Sequence, residues 1–297
     1  MVFDSSSSDC SLDTSAIKTA CETDKNIINY VYIDDFNAVE TLNLKQAMSH
    51  ITTNKCSMDV RAIKSERLFS RVHETATEIG MLVNGAKTQM LCIHPCIFNS
   101  VNTHINCDNN EIISSTNDLK ILGFTFDQRP NANKHVELLV QRFYSKLWSL
   151  RFLKRSGLDK GKLLELYNSN VRSAVEYCST VYHSMINEQL AERLESVQRQ
   201  ALRIIFGWDC DIREIMAAKN IETLKSRREK AVLNFALKNE HSGRFGKRWF
   251  KKNENIRRNE LRQSTRKEYL VPRCRTDRMF NNPVVNMTMT LNKHYSN

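Results

Sequence analysis

Ile27-Ile28-Asn29-Tyr30-Val31-Tyr32-Ile33-Asp34-Asp35-Phe36 is a mostly apolar run that ends on two adjacent carboxylates. β-branched and aromatic residues over six positions read as a strand, and Asp-Asp reads as the tip of a tight hairpin returning through Phe36 to Val39. A turn presents neighbouring acids without shielding, and hard carboxylate oxygens suit Mg²⁺, which keeps several waters and needs few protein ligands. Paired acids of this kind are what two-metal phosphoryl transfer requires. Asp-Asp is also an ordinary turn dipeptide, and the residues alone leave both readings open.

The surrounding charge favours a polyanionic partner. The 297 residues carry a net charge of +11 and a sequence pI of about 9.2. Acids outnumber bases roughly two to one up to about residue 60, whereas Lys and Arg dominate from Glu222 onward. With 8 Gly and 4 Pro there are too few turn residues for a many-stranded sandwich, so helices are favoured. No apolar stretch is long enough to span a bilayer, so no membrane partner is expected. Met1-Val2-Phe3-Asp4 followed by four serines lacks a signal-peptide pattern. Nine scattered cysteines read as reduced thiols, which suits the nucleus or cytoplasm.

Working outward, residues 1–25 are polar and read as a disordered tail. Val60, Ile63, Leu68, Val72, Ala76 and Ile79 predict a helix ending at Gly80. Met81–Asn84 and Thr88–Ile93 predict strands about a turn at Gly85. Ile105–Cys107 and Ile112-Ile113 predict a small hairpin, and Leu119–Asp127 a further strand. Three helical stripes follow: Val136 to Leu150, stopped by Ser156-Gly157; Leu164, Tyr167, Val171, Ala174, Cys178 and Val181; and Leu190 to Ile205, stopped by Gly207. Ile221–Leu237 is a fourth candidate, and from Lys238 the chain reads as basic and loosely ordered. The divisions are therefore 1–25, 26–127, 128–240 and 241–297.

Tyr32-Ile33-Asp34-Asp35 resembles the Tyr-x-Asp-Asp motif C of reverse transcriptases. Gly80-Met81-Leu82-Val83-Asn84-Gly85-Ala86-Lys87-Thr88 is similar to their motif D, with Met81 in place of a Leu. Ile121-Leu122-Gly123-Phe124-Thr125-Phe126-Asp127 resembles the strand of the primer-grip region. Leu166–Ser173, Glu176-Tyr177-Cys178 and Leu194–Gly207 resemble the thumb of non-LTR retrotransposon polymerases, and the likeness reaches Arg275-Thr276-Asp277-Arg278. The ordered series covers roughly residues 27 to 280.

The resemblance implies an α+β chain: a partial palm (a short antiparallel sheet with a helix), then an all-α thumb bundle. It implies RNA-directed DNA polymerase lineage, with Asp34 a direct Mg²⁺ ligand, Asp35 its supporting acid and Lys87 near the incoming triphosphate. Lys87 reads equally well as a solvated turn lysine. Gly123 would give a close backbone turn at the primer terminus, or be a strand glycine at a bulge. Motif A and the Gln-Gly pair of motif B have no counterpart: no Gly precedes Asp34, and Asp4 and Asp13 lack a strand long enough to pair. The expectation is a truncated reverse-transcriptase-like protein, inactive alone. The alternative is a non-enzymatic helical protein that binds nucleic acid.

The implied partners are RNA, DNA or an RNA–DNA duplex, with self-association through an exposed palm edge as a further expectation. Phosphate contacts would come from Arg142, Lys146, Arg151, Lys154, Arg155, Arg172, Arg199 and Arg203 on one face of the helices; each is also readable as a solvated cation. Arg244-Phe245-Gly246-Lys247-Arg248-Trp249-Phe250-Lys251-Lys252 suits either single-strand stacking or packing of its aromatics on the bundle. Cys92, Cys96, His104 and Cys107 are close in sequence, but their spacing does not match a zinc knuckle.

Overall fold

The structure is a computed structural model that describes residues 27–32, 35–40, 63–78, 80, 83–91, 93, 104–106, 112–128, 131–243, 245–253 and 268–296. Among these residues the protein is mostly helical, with three small two-stranded sheets, an arrangement compatible with an α+β class. Two compact units divide the chain: residues 1–119 with 127–129, and residues 120–126 with 130–297.

In the first unit, β1 (Ile27–Tyr32) pairs antiparallel with β2 (Asp35–Glu40) in the register Ile27↔Glu40 to Tyr32↔Asp35. The chain therefore reverses between Tyr32 and Asp35. Helix α1 (Ile63–Glu78) buries Val72 and Ala76 of the expected stripe, together with Phe69, which that stripe did not include. Gly80, at φ +74°, donates its N–H to the Thr77 carbonyl at 3.0 Å and closes the helix. Asn84 then caps a single 3₁₀ turn, Gly85–Lys87. The expected strand Thr88–Ile93 is reduced to a bridge between Met90 and Ser115, and Met90 packs with Phe69, Val83 and Ile113 in a small core. The hairpin expected around residue 109 is present as β3 (His104–Asn106) paired with β4 (Ile112–Ser114).

Leu119–Asp127 is two strands rather than one: β5 (Asp118–Ile121) and β6 (Phe124–Asp127). Leu122 and Gly123 lie between them at φ +47° and +84°. Two successive residues of positive φ match the type I′ turn, whose twist suits a two-residue hairpin. The single apolar run concealed this reversal because Leu at a left-handed position is an exception to the usual turn chemistry.

The second unit is built on α2 (Asn133–Arg155). Val136, Leu139, Val140, Phe143, Leu147 and Leu150 are all buried, and they pack with Leu190, Leu194, Val197, Ala201, Ile204 and Ile205 of α6 (Glu188–Phe206). Leu147 and Leu150 have no exposed surface, so each side chain contributes about 2 kcal/mol by burial. Both helices stop where the sequence placed the breaks, Gly157 at φ +83° and Gly207 at φ +125°.

The second predicted stripe is displaced. After α3 (Lys160–Leu166), residues Tyr167–Arg172 form a π-helical turn, followed by the short helices α4 (Ser173–Glu176) and α5 (Ser179–Tyr182). Leu163, Tyr167, Val171 and Val175 are buried, at an even spacing of four. Leu164, Ala174, Cys178 and Val181 are only half-buried. A wider turn carries more residues per revolution, so side chains four apart stay on one face.

Helix α7 (Ile212–Ala218) precedes α8 (Leu224–Glu240), which was expected as one segment from Ile221. Among the described residues after Lys238 the chain forms helices that its composition did not suggest. Helix α9 (Gly246–Trp249) and α10 (Asp277–Phe280) lead to α11 (Pro283–Ser296), where Met287 and Leu291 pack with Val232, Ala236, Phe250 and Tyr269. No helix among the described residues is long and apolar enough to cross a membrane.

Candidate nucleic-acid interface

Helix α2 carries a strongly cationic surface. Its sequence holds Lys134, Arg142, Lys146, Arg151, Lys154 and Arg155 against one acid, Glu137, and no acid occurs from Leu138 to Leu158. Arg142, Arg151, Lys154 and Arg155 are exposed, and no carboxylate among the described residues forms an ion pair with them. A cation with no acid partner keeps its full field for an anionic ligand.

The other expected phosphate contacts are engaged within the protein. Lys146 Nζ donates to Oδ1 of Asn170 at 2.7 Å and to the Asn170 backbone carbonyl, which ties α2 to the π-helical turn. Arg172 lies 3.4 Å from Glu176, and that same carboxylate receives Arg227. Arg199 pairs with Glu192. Arg203 sits 5.6 Å from the centroid of the Trp208 ring, a cation–π distance. Nor do the eight cations form one face. Arg142 and Arg151 are nine residues apart on α2, which at 3.6 residues per turn places them on opposite sides.

Sequence reading missed a row of aromatics on α2. Tyr144, Trp148 and Phe152 recur every four residues and are 46%, 66% and 55% exposed. Trp148 and Phe152 stack with centroids 5.7 Å apart and planes 14° apart. Their four-residue spacing was legible, but it matches that of a buried stripe, and only the position of the true core distinguishes the two.

At the β5–β6 turn the Tyr177 hydroxyl donates to the Leu122 carbonyl at 2.5 Å. A Cβ on Gly123 would stand 3.3 Å from Cε1 of Tyr177. Gly123 is thus a hairpin-turn glycine held against α4's C-terminal edge, not a bulge in a strand. Below it, His135 is buried, and its Nδ1 accepts the Thr125 N–H at 3.3 Å. Burial, helped by the nearby Arg142 charge, lowers its pKa to about 4. The ring is therefore neutral and serves as a structural link between β6 and α2.

Of the expected catalytic residues, Asp35 begins β2 opposite Tyr32, while Asp34 lies outside the described residues. Lys87 ends the 3₁₀ turn with an exposed side chain, and its N–H donates to Asn84 Oδ1 at 3.1 Å. Cys92, Cys96 and Cys107 also lie outside the described residues. In the basic segment near 250 the packing alternative is the one observed: Phe250 is buried, Trp249 packs against the same cluster, and Phe245 stacks on Trp249 at 4.6 Å.

A cavity of about 500 Å³ opens beside α6, bounded by Gln198, Arg199, Arg203, Cys210 and Arg213 among others. The Gln198 amide donates to the Glu222 carbonyl at 3.0 Å. Comparison with protein-family models, curated proteins and solved structures finds no match to this chain.

Proposed function

We propose that this chain is a reverse-transcriptase-like protein of retrotransposon lineage that binds nucleic acid through its helical unit and does not polymerise by itself. The lineage rests on the ordered series of motifs from Tyr32 to Gly207. The binding is carried by one observation: α2 presents Arg142, Arg151, Lys154 and Arg155 to solvent in a stretch devoid of acids. Contacts from such cations go to phosphates, so binding is sequence-independent and salt-sensitive. An RNA–DNA duplex, RNA and DNA all satisfy that chemistry. The nucleus or the cytoplasm is the compartment this reading requires.

The donor set suits Mg²⁺ by its chemistry, since Asp34 and Asp35, adjacent in the sequence, are hard carboxylate-oxygen donors. A bound ion there would supply charge stabilisation for phosphoryl transfer. These 297 residues offer no counterpart of motif A, which carries a further metal-binding acid in that family, or of the Gln-Gly pair of motif B, and both positioning and metal binding depend on them. The helical unit has its own core from Phe124 to Leu224, which favours the second reading, a binding protein without chemistry.

The test is primer extension on an RNA template with Mg²⁺, beside duplex binding at several salt concentrations. The expected result is binding that weakens with salt and no synthesis above an Asp34→Ala control. Synthesis abolished by Asp34→Ala would overturn the inactivity. Absence of binding at low salt would overturn the whole reading.

A further inference from the structure

We infer that the aromatic row Tyr144–Trp148–Phe152 on α2 is a stacking platform for the unpaired bases of a single-stranded nucleic acid, with Arg151 and Arg155 on its phosphates. This rests on the nucleic-acid reading above and makes it specific.

Single exposed aromatics are common, but three in register along one helix are not. The core does not use them: α2 buries Val136, Leu139, Val140, Phe143, Leu147 and Leu150 on the other side. At 1.5 Å rise per residue the row is about 12 Å long, enough for more than one base. The Trp148 and Phe152 rings lie nearly parallel, so their flat faces suit another planar ring. Arg151 follows Trp148 by three residues and Arg155 follows Phe152 by three, which places each guanidinium one turn beyond a ring on the same face.

Planar faces interleaved with exposed cations match the chemistry of a single strand, whose bases are open for stacking and whose phosphates are anionic. A duplex hides its base faces within its own stack. A second copy of this chain docked face to face would bring Arg151 and Arg155 against their own counterparts, which like-charge repulsion opposes. Acyl chains of a membrane offer no flat face to match the parallel rings.

The test measures fluorescence anisotropy of labelled, unstructured oligoribonucleotide and oligodeoxyribonucleotide, and of an RNA–DNA duplex, with the full chain. Trp148→Ala is expected to weaken single-strand binding roughly tenfold, with the salt slope unchanged and duplex binding little altered. Trp148→Phe should restore most of the loss, because it keeps a stacking face. Phe152→Ala is a second variant, and both side chains are exposed enough that the fold does not depend on them. Single-strand binding that is unchanged in Trp148→Ala and Phe152→Ala would overturn the platform and leave the parent reading standing. Failure of the unaltered chain to bind any of the three probes would overturn both. The platform is also overturned if Trp148→Ala dissociates a dimer in sedimentation, or if it removes binding to phosphatidylserine vesicles while sparing oligonucleotides.

Discussion

The hydroxyl of Tyr177 donates to the carbonyl of Leu122 at 2.5 Å, bridging 55 positions of sequence. This contact closes the β5–β6 turn onto the helical unit. It also explains two features that look unfavourable alone: a leucine at φ +47° and a tyrosine 53% exposed. The turn holds Leu122 in a conformation where its carbonyl meets the phenol, and the phenol in turn covers Gly123.

Gly123→Ala should therefore destabilise the protein by about 1–2 kcal/mol, since a left-handed φ and a Cβ close to the Tyr177 ring act together. Tyr177→Phe, which removes the hydroxyl and its hydrogen bond to Leu122, should cost about 1 kcal/mol. Urea unfolding of the two single variants and the double variant tests this. The effects should be non-additive because the residues touch.

His135 gives the fold an acid-sensitive joint. Its folded pKa of about 4 lies below the ordinary value of 6.5, so the unfolded state takes up the proton first as pH falls. The stabilisation is complete above pH 6.5 and is lost as pH falls towards 4, by about 3 kcal/mol in all. The urea midpoint should drop across that window, and His135→Gln should flatten the drop while lowering stability at neutral pH. An unchanged profile in His135→Gln would remove His135 as the cause.

Glu240 is buried and accepts hydrogen bonds from the hydroxyls of Tyr269 and Tyr295, the latter at 2.6 Å. Burial alone would raise its pKa, but the two phenols, together with the charges of His241 and Lys252, outweigh that and hold the carboxyl below its usual range. In return, the hydrogen bond to Glu240, with burial adding to it, pushes the Tyr295 phenol up to about 12. Spectrophotometric titration should show this phenol ionising near 12 in the unaltered protein and moving back towards 10 in Glu240→Gln. Because the folded state keeps the proton longer, this group's contribution to stability is lost as pH rises from 10 towards 12.

Arg151→Ala with Arg155→Ala should reduce the slope of log affinity against log salt for single strands by about 1.4, roughly 0.7 for each lost phosphate contact. Lys146→Ala should leave that slope unchanged and instead lower stability, because its ammonium is held by Asn170. A slope change in Lys146→Ala equal to that of the arginine pair would show that the internal hydrogen bonds yield to phosphate.

The helices α2 and α6 were legible because period-3.6 apolar patterns and terminal glycines are local signals that agree with the packing. The β1–β2 hairpin was legible for a similar reason: β-branched residues flank an acid pair. The face of α8 was not legible as a stripe, since the residues it buries at four-residue spacing include Arg228 and Glu240 beside Leu224, Val232 and Ala236. Glu240 is tolerated inside with two distant phenols hydrogen-bonded to its carboxylate.

The amino-acid order by itself determined where α2 and α6 stop, that both are amphipathic and how strongly cationic the chain is, because each depends on neighbours a few residues away or on composition. Tertiary structure alone decided that Leu122-Gly123 reverses the chain under Tyr177 and that Leu163 rather than Leu164 is buried. It also decided that Lys146, Arg172 and Arg199 are spent on internal partners, while Arg151 and Arg155 form no ion pair with a carboxylate among the described residues. Those outcomes depend on which groups meet across tens of residues, and no local propensity encodes that encounter.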